Sequence, residues 1–524
     1  KERTFFFVSW EGLRQSRGLT AQASVPSDAF KAAVHAASPA LDPIMNVFPH
    51  GQAATPDPNV DTFTHLAHAT VSEDSWLVRV DHKFSGKTNL YFRATRDIAF
   101  ADTPEGNLFD RNAIQSNPAN LVLALQHAFS PTLFNEAKFG INRAPFRNPS
   151  IGIVPVTYVI PGQGTATGIT FDSSGIFETL NDNVTDVEVG TTLGYIDNLT
   201  WTRGRHTFKT GIEVRRIDLN QGKTADTTIS YTTAPSIIAN TAEGINVQGP
   251  WCCHGLRRTF VLPYFQDEFK FRPNLTFNAG LRWEYYSVIT EAQGRGIVFD
   301  LARCGGICPH GTPAYFPNYR NFDPRVSLAW SPARFHGNTV IRTGFGIYHG
   351  AAQNDDENQP LESDAFRTRI NSGATFPIDP LLASAKFSLR TPRAIQRDRR
   401  DLYVEQWGLS IQQALPGNLL LTTAYSGSHG VRLFARNFEN TCANLIVNNG
   451  NCVRPLDPFT PPGQTPIGLV DIKSDTGTSS YHALLLTLQR NFRNGLLFQA
   501  NYSYAHSVND GSVGGGESNA VQNA

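Results

Sequence analysis

The stretch Phe277-Asn278-Ala279-Gly280-Leu281-Arg282-Trp283-Glu284-Tyr285 alternates between two kinds of residue. One set is apolar and consists of Phe277, Ala279, Leu281, Trp283 and Tyr285; the other consists of Asn278, Gly280, Arg282 and Glu284. Successive side chains of a β-strand point to opposite faces, so the stretch predicts a strand with one apolar and one polar face. The runs Phe208 to Arg215 and Leu496 to Tyr504 show the same alternation.

This pattern recurs as a two-strand unit, in which two alternating runs flank a tight turn and a long polar connection follows. Seven such units can be recognised, with turns at Ser85-Gly86-Lys87, Ser130-Pro131-Thr132, Arg203-Gly204-Arg205, Arg272-Pro273-Asn274, Ser331 to Asn338, Pro416-Gly417-Asn418 and Asn494-Gly495. Asn-Gly is the strongest short hairpin signal, because both residues accept a positive φ. The units therefore predict consecutive antiparallel hairpins.

The hairpins suit a membrane barrel better than a soluble sandwich. The runs have about 9–12 residues, whereas strands of soluble sheets usually have 5–6. The long connections, of roughly 25–50 residues, are uncommon in compact soluble domains. Aromatic residues stand near strand ends, where the interfacial girdles of a barrel lie; they are Trp76, Trp201, Trp283, Tyr285, Trp330, Tyr403, Trp407, Tyr425 and Tyr504.

The predicted fold is all-β: one large antiparallel transmembrane β-barrel of the outer-membrane type over residues 1–524. Thr4 to Gly12 supplies a first strand, and residues 14–73 are predicted to be one long extracellular connection. The total is about 15 strands, with short periplasmic turns and long extracellular loops. Bacterial single-chain barrels have even strand numbers, so we expect an incomplete barrel. Its strands Phe5–Glu11 and Leu496–Tyr504 should not pair with each other.

Composition excludes some functions and points to an oxidising compartment. The formal net charge is zero, with 45 basic and 45 acidic residues, so nothing predicts nucleic-acid binding. The six cysteines form three close pairs, Cys252/Cys253, Cys304/Cys308 and Cys442/Cys452, which predict disulfides in extracellular loops. Free thiols, or a zinc site at Cys252-Cys253-His254, are the alternatives. A bond between adjacent cysteines is strained, so the first pair is the least secure.

No enzyme signature stands out, so we expect no enzyme, no cofactor and no bound metal. Gly344-Phe345-Gly346 has the wrong spacing for a dinucleotide loop. Asp355-Asp356-Glu357, with Glu362 and Asp364, is interpreted as a solvated loop rather than a calcium site. The candidate functional residues are the charges expected on the lumen face, namely Arg79, Asp81, Arg93, Lys209, Glu213, Arg215, Arg282, Glu284, Arg325 and Arg342. Cross-strand ion pairs are the simpler explanation for them; docking of a plug or guidance of a substrate is the alternative.

Several segments, in this order and spacing, resemble the barrel of TonB-dependent receptors, specifically the Oar-like group of acidobacterial-type genomes. They are Arg3–Arg14, Tyr264–Lys270, Pro273–Glu284, Asn321–Arg325, Val340–Tyr348, Gln406–Gln412, Tyr481–Leu484 and Asn501–Ala505. The resemblance covers nearly the whole chain. It implies a plug domain that fills the lumen and couples to TonB, and this plug is expected to lie outside the present sequence.

The resemblance implies an outer-membrane receptor-transporter of a Gram-negative bacterium that takes up a large or scarce substrate. Its partners would be outer-membrane lipid, the TonB complex through the plug, and an unidentified extracellular substrate. Two other classes remain open: a passive adhesin or structural barrel, and a soluble β-rich carbohydrate-active enzyme. A plug and TonB box upstream would distinguish a transporter from an adhesin, and a requirement for detergent would exclude the soluble enzyme.

Overall fold

The computed structural model describes residues 3–104, 111–149, 156–160, 164–181, 185–223, 226–248, 251–351, 361, 366–384, 388–389, 392–441, 454–459, 467–493 and 495–509. Within these residues, 19 strands join in one sheet, of which four are short pieces and 15 are long. The short pieces are Ala53–Ala54, Arg111–Ser116, Thr290–Glu291 and Arg393–Ile395. The predicted all-β fold and the approximate strand number are confirmed.

The long strands are β1 (Thr4–Pro26), β2 (Val60–Lys83), β3 (Thr88–Pro104), β4 (Ala119–Ser130), β5 (Leu133–Asn148), β6 (Asp186–Arg203), β7 (His206–Lys223), β8 (Trp251–Arg272), β9 (Leu275–Tyr286), β10 (Asn321–Trp330), β11 (Thr339–Gly350), β12 (Leu402–Leu415), β13 (Leu419–Glu439), β14 (Val470–Arg493) and β15 (Leu496–Asn509). Each pairs antiparallel with the next strand along the chain. The sheet is therefore a continuous meander.

The predicted tight turns join consecutive strands of the meander at one end of the sheet; Asn494 of the last turn lies outside the described residues. Gly204, Gly417 and Gly495 have φ angles of 60°, 80° and 77°. A side chain is strained in this left-handed region, which explains glycine at these turns. The long connections consequently all lie at the opposite end of the sheet.

The predicted connection over residues 14–73 is too long. β1 continues to Pro26 and β2 begins at Val60, and the two strands pair without interruption from Thr4↔His82 to Pro26↔Val60. Alternation is weak in this extension, for example in Gln15-Ser16-Arg17-Gly18, because both of its faces can be polar where no lipid surrounds it. The true connection consists of residues 27–59.

Four of the long connections share one hydrophobic core, and we call them the loop cap: residues 27–59, 156–181, 226–248 and 366–384. Their buried residues include Phe30, Val34, Tyr158, Phe171, Ile229, Ile245, Phe376 and Ile378. Three of the connections also build a five-stranded sheet from Thr170–Asp172, Asp226–Ser230, Ala242–Gln248, Phe366–Ala374 and Ser388–Leu389. The connections are thus a folded layer, which the sequence analysis did not predict.

Side-chain hydrogen bonds join one connection of the loop cap to another. Asn240 Nδ2 donates to the carbonyl of Phe376 at 2.6 Å, and Phe376 N donates to Asn240 Oδ1 at 2.9 Å. The Tyr158 hydroxyl donates to Thr227 Oγ1 at 2.6 Å. Because these polar groups are buried, each bond removes a donor or acceptor that would otherwise be unsatisfied.

Short helices complete the loop cap and its surroundings. They are Asp28–Ala37, Pro39–Leu41, Asp42–Met45, Ala234–Ile238, Leu301–Cys304, Asp379–Ser384 and Asp457–Phe459, and one further short helix, Ala333–Phe335, lies in the tight turn between β10 and β11. The first is capped by Ser27, whose hydroxyl accepts from Phe30 N at 3.1 Å, and it buries Phe30 and Val34 in the shared core. In the described part of the chain, no helix has the length and apolar character needed to cross a membrane.

The connection between β9 and β10, residues 287–320, packs against a second buried cluster that includes Leu256, Val298 and Tyr315. The predicted disulfide between Cys304 and Cys308 is present here, with Cα atoms 5.2 Å apart. Cys442 and Cys452, and the side chains of Cys252 and Cys253, lie outside the described residues. The Cys304–Cys308 prediction is confirmed, and the other two pairings stay predictions.

The long strands separate an apolar face from a polar face. Directly opposed residues of an antiparallel pair point to the same side, so the registers place Phe277, Leu281 and Trp283 on one side. That side carries exposed apolar residues on most of the long strands, among them Val78, Leu123, Phe139, Tyr195, Phe265, Leu281, Val326, Phe345, Leu409, Tyr425 and Leu484. Such a continuous exposed apolar surface needs a non-aqueous environment.

The two terminal strands are the edges of the sheet. β1 pairs with β2 and β15 with β14, and no pairing joins β1 to β15 among the described residues. β15 is exposed along its whole length, and so is most of β1. This agrees with the expectation that Phe5–Glu11 and Leu496–Tyr504 do not pair.

Replacing Leu281 by Arg should cost about 2–4 kcal/mol of folding free energy, because the apolar face is expected to contact lipid. Asn278→Arg, three residues away on the polar face of β9, is the matched control and should cost much less. Urea-induced unfolding in lipid vesicles measures both. Equal losses of stability would contradict the assignment of the faces.

Glu291 predicts a pH-dependent weakening of the β9–β10 connection. Its carboxylate accepts from the backbone N–H groups of Gly255, Gln293 and Arg295 at 2.8–2.9 Å. Burial alone would raise the pKa of Glu291, but these hydrogen bonds outweigh burial and lower the pKa from 4.5 to about 2.

Since the folded pKa is the lower one, the stabilisation is complete above about pH 4.5 and is lost as the pH falls towards 2. Amide exchange in residues 287–300 should therefore become faster, relative to amides of the sheet, as the pH is lowered from about 5 to about 3. Glu291→Gln should already show faster exchange at neutral pH and little further change on acidification. A wild-type connection insensitive to acid would count against this role of Glu291.

Candidate functional site

All ten charged residues singled out from the sequence lie on one face of the sheet, opposite the exposed apolar residues. A chain of directly opposed residues demonstrates this, running through Arg79, Arg93, Val122, Gly140, Gly194 and Arg215. It continues on the same face through Gly211, Tyr264 and Arg282 and then through Gly280, Arg325 and Gly346. The remaining candidates lie two or four residues from these positions on the same strands.

On this polar face, arginines of neighbouring strands are paired with acids. Arg282 Nε lies 2.7 Å from Glu284 Oε1, and its guanidinium reaches across to Glu213 at 3.7 Å. Arg215 forms an ion pair with the same Glu213. Four of the predicted residues are therefore brought together, and their charges balance.

The sequence analysis missed two residues that complete this arrangement, Asp323 and His349. The Asp323 side chain is fully buried, and its Oδ1 lies 2.5 Å from His349 Nδ1. The backbone N–H of His349 also donates to Asp323, and Arg325 Nη2 lies 3.6 Å from Asp323 Oδ2. Their only sequence signal was the position of Asp323 in the segment Asn321–Arg325. We call Arg282, Glu284, Asp323, Arg325 and His349 the polar cluster.

The polar cluster continues into the connection that precedes β12. Asn321 Nδ2 donates to Asp401 Oδ2 at 2.8 Å, and Arg399 lies 3.4 Å from the other oxygen of Asp401. The Tyr286 hydroxyl donates to Glu284. The cluster therefore joins the loop ends of β9, β10 and β11 to a long connection through a polar network whose acids, Glu284, Asp323 and Asp401, are buried.

The other predicted residues lie apart from the polar cluster. Arg79 and Asp81 form a two-point ion pair, with both distances 2.7 Å, and the Arg79 guanidinium lies 4.8 Å from the Tyr91 ring centre. Arg93 Nη2 donates to Asn120 at 3.4 Å, and Arg342 Nη1 donates to Gln412 at 3.3 Å. Lys209 lies on β7, on the same face. The ten residues do not form a single site.

A groove crosses β8 to β14 on the polar face. From β10 to β14 its floor is a row of small residues that are directly opposed from strand to strand: Ser327, Gly344, Gly408, Ser426 and Ala483. A Cβ atom added to Gly344 would lie 3.3 Å from Ser327 Cβ, and one added to Gly408 would lie 3.3 Å from the Tyr425 carbonyl. Larger residues would therefore fill the space above the row.

This groove is a cavity of about 940 Å³ with polar walls. The polar cluster contributes Arg282, Asp323 and Arg325 to the walls. The Arg325 guanidinium lies 4.3 Å from the centre of the Tyr348 ring. Gln266, Gln406 and Ser428 supply further hydrogen-bonding groups. The volume is within the range of small-molecule sites, and the mixture of amides, hydroxyls and paired charges suits a polar surface or ligand.

Nothing in the described part of the chain gathers three His, Cys, Asp or Glu side chains as a metal site. The acidic residues Asp355-Asp356-Glu357, Glu362 and Asp364 lie outside the described residues. The glycines of Gly344-Phe345-Gly346 lie within β11, where Gly344 forms part of the groove floor.

The family described as outer membrane beta barrel domain matches residues 1–524, the whole chain. No curated protein sequence matches it.

Among solved structures, the outer membrane transporter YddB from Escherichia coli is 11% identical with a TM-score of 0.59, and the match covers 96% of this chain and 53% of that one. The copper transporter OprC is 11% identical, with coverage of 94% and 61% and a TM-score of 0.49. The ferripyoverdine receptor of the outer membrane of Pseudomonas aeruginosa is 10% identical, with coverage of 97% and 56% and a TM-score of 0.48. The chain thus spans about half the length of the Escherichia coli transporter.

Asp323→Asn should cost about 3–5 kcal/mol of folding free energy, because it leaves the buried His349 and the neighbouring Arg325 without their carboxylate. Asp81→Asn is the matched control: its ion pair with Arg79 is partly exposed and should contribute about 1 kcal/mol or less. Urea unfolding in vesicles compares the two. Similar, small losses of folding free energy for both variants would show that the polar cluster does not stabilise the loop end of the sheet.

Proposed function

The chain belongs to the outer membrane beta barrel domain family and resides in the outer membrane of a Gram-negative bacterium, and we propose that it forms the barrel wall of a TonB-dependent receptor-transporter. In this proposal the polar face lines the lumen and contacts a plug supplied by another part of the protein. The neighbours of known structure named above are transporters and receptors rather than enzymes. Since sequence identity is low, they support the shared fold, and the function is inferred from the polar face.

The groove on the polar face is the observation that carries this proposal. A barrel filled by its own side chains needs large residues pointing inwards. Here Gly344, Gly408 and Ser426 leave about 940 Å³ open on that face. A wall of small residues leaves space for another polar surface, or for a substrate once that surface moves.

The charge balance of the polar face suits such a role. Arg282 and Arg325 face Glu284 and Asp323, so the wall offers many hydrogen-bonding groups without a strong net field. A plug that must dock and also move requires a wetted polar interface rather than an apolar one, because an apolar contact would not separate readily in water. The identity of the transported substrate does not follow from these residues.

A second candidate function is a passive surface barrel whose loop cap binds a partner. The observation in its favour is the shared core of the cap, which gives four connections a common folded surface. The two functions differ in their dependence on energy, because only a transporter moves its plug in response to TonB.

Site-directed labelling of the full-length protein in intact cells distinguishes the two. We expect Ser327→Cys, on the groove floor, to react with a membrane-impermeant maleimide several-fold faster in cells that contain TonB than in a TonB deletion strain. Val326→Cys, the adjacent residue on the exposed apolar face, is the matched control and should not react in either strain.

Unsubstituted protein gives the background from the native cysteines. Equal labelling of Ser327→Cys with and without TonB would contradict energy coupling and favour the passive barrel. Labelling of Val326→Cys in place of Ser327→Cys would contradict the assignment of the polar face to the lumen.

A further inference from the structure

Exposed cations are concentrated at the tight-turn end of the sheet. None of the seven turn segments contains Asp or Glu, whereas three consecutive turns, those of β6–β7, β8–β9 and β10–β11, carry arginine. These arginines, and a lysine just before the second of the three turns, are exposed: Arg203, Arg205, Lys270, Arg272 and Arg334. We call these five residues the basic arc.

The three turns of the basic arc are joined to one another by hydrogen bonds. The backbone N–H of Lys270 donates to the carbonyl of Arg205 at 2.9 Å, which connects the first turn to the strand that leads into the second. Ser331 N donates to the carbonyl of Asn274 at 2.9 Å, and Asn274 Nδ2 donates to the carbonyl of Ser331 at 2.8 Å, which connects the second turn to the third. Since paired strands lie about 4.7–4.9 Å apart, successive turns are about 10 Å apart. The basic arc is therefore a row of cations at regular steps.

Contacts within the basic arc hold its guanidinium groups in place. Arg205 Nη1 donates to the carbonyl of Phe271 at 3.0 Å, and the Arg272 guanidinium lies 5.7 Å from the ring centre of the same Phe271. The Arg203 guanidinium lies 5.6 Å from the ring centre of Trp201. Side chains that are already held lose less conformational entropy when they bind a partner.

The charges of the basic arc have no acidic partners nearby. In the part of the chain that the structure describes, none of its five cations forms an ion pair, although Glu268 lies two residues from Lys270. The polar face differs in this respect, because Arg282 is paired there with Glu284. A row of unpaired cations attracts an anionic partner, since no carboxylate of the protein competes for the same groups.

Membrane phosphates do not account for the whole basic arc. Lys270 is directly opposed to Thr276, and Glu268, two residues before it, is directly opposed to Asn278. Side chains two residues apart on a strand share a face, so Lys270 lies on the polar face. Its ammonium group therefore points away from the apolar face and from lipid.

We propose that the basic arc binds peptidoglycan through the carboxylates of its peptides. A guanidinium group binds a carboxylate at two points. A polymer with carboxylates at intervals engages several turns at once, so that weak single contacts add up to stable binding. Charge set out in a row suits such a polymer better than the compact contact patch of a folded protein. The inference rests on the proposed function, because it requires the turn end to face the periplasm.

Co-sedimentation of the full-length protein in detergent with purified sacculi tests this. Wild-type protein should bind about tenfold more tightly than a variant in which four exposed arginines of the basic arc are neutralised. The four changes are Arg203→Gln, Arg205→Gln, Arg272→Gln and Arg334→Gln. Sacculi whose carboxylates have been amidated should bind both proteins equally weakly.

The matched control neutralises four exposed arginines at the loop end, namely Arg303→Gln, Arg320→Gln, Arg397→Gln and Arg400→Gln. It changes the net charge by the same amount and should bind sacculi as wild-type protein does. Urea unfolding should show that both variants keep their fold. Equal loss of binding in the two variants, or unchanged binding to amidated sacculi, would overturn the inference.

Nanodiscs separate peptidoglycan from lipid as the anionic partner. Wild-type protein should bind sacculi equally well in nanodiscs of phosphatidylcholine and in nanodiscs that contain phosphatidylglycerol. Loss of sacculus binding in the anionic nanodiscs would assign the basic arc to lipid phosphate and overturn the inference.

Photo-crosslinking in cells separates peptidoglycan from an acidic protein. The Arg334 guanidinium lies 4.6 Å from the ring centre of Phe335, which is partly exposed and can be replaced by p-benzoylphenylalanine. Irradiation should give adducts of high mass that a muramidase reduces to the size of the receptor. A discrete adduct that resists muramidase, or the absence of muramidase-sensitive adducts, would overturn the inference.

Sedimentation with sacculi requires neither transport nor TonB. Equal labelling of Ser327→Cys with and without TonB would therefore contradict the proposed energy coupling and leave the sacculus result intact. Failure of wild-type protein to bind sacculi would overturn the present inference and leave the labelling result intact.

Discussion

The pairing of backbone N–H and C=O groups between neighbouring strands is the constraint on which the rest of this structure depends. Hydrocarbon offers no water to satisfy these groups, and each unpaired one costs several kcal/mol. A meander of 15 long strands meets this requirement with hairpins alone, except along the outer sides of its two edge strands, β1 and β15. Because every strand pairs with its neighbours in sequence, the register of one hairpin fixes the facing of the next, and the separation of polar and apolar faces is maintained across the sheet.

Outside the lipid this constraint is relaxed, and the chain no longer has to form paired strands. β1 and β2 continue as a paired ribbon beyond the point where strict alternation ends, and the connections then fold into a layer with its own core. Water can satisfy the backbone there, so helices, short strands and irregular segments are all tolerated. Burial of Phe30, Phe171, Ile245 and similar residues replaces strand pairing as the main source of order.

Much of the sheet could be predicted from the sequence because its signals are local. Period-two alternation near Leu281 and turn residues such as Gly204 and Gly417 require no knowledge of distant residues. The extension of β1 to Pro26 was missed because a strand with water on both sides has no apolar face to recognise. The loop cap was missed because its apolar residues, for example Ile229 and Ile378, are scattered over connections that are far apart in sequence.

The candidate site shows the same limit. Charges on the polar face followed from alternation, so the common facing of residues such as Arg79, Glu213 and Arg342 could be anticipated. The pairing of Asp323 with His349 depends on how the loop ends of β10 and β11 lie beside each other, and the position of a turn alone does not give this. The groove likewise appears only when Gly344, Gly408 and Ser426 are aligned by the registers.

The shared core of the loop cap also restricts how this surface can evolve. If each connection were an independent loop, selection by phage or host defences could replace one without affecting the others. Here, Asn240 and Phe376 belong to different connections and hold each other in place. A change of length or sequence in one connection must therefore remain compatible with three others, so rapid variation is confined to exposed tips, and whole connections are expected to be inherited as a set.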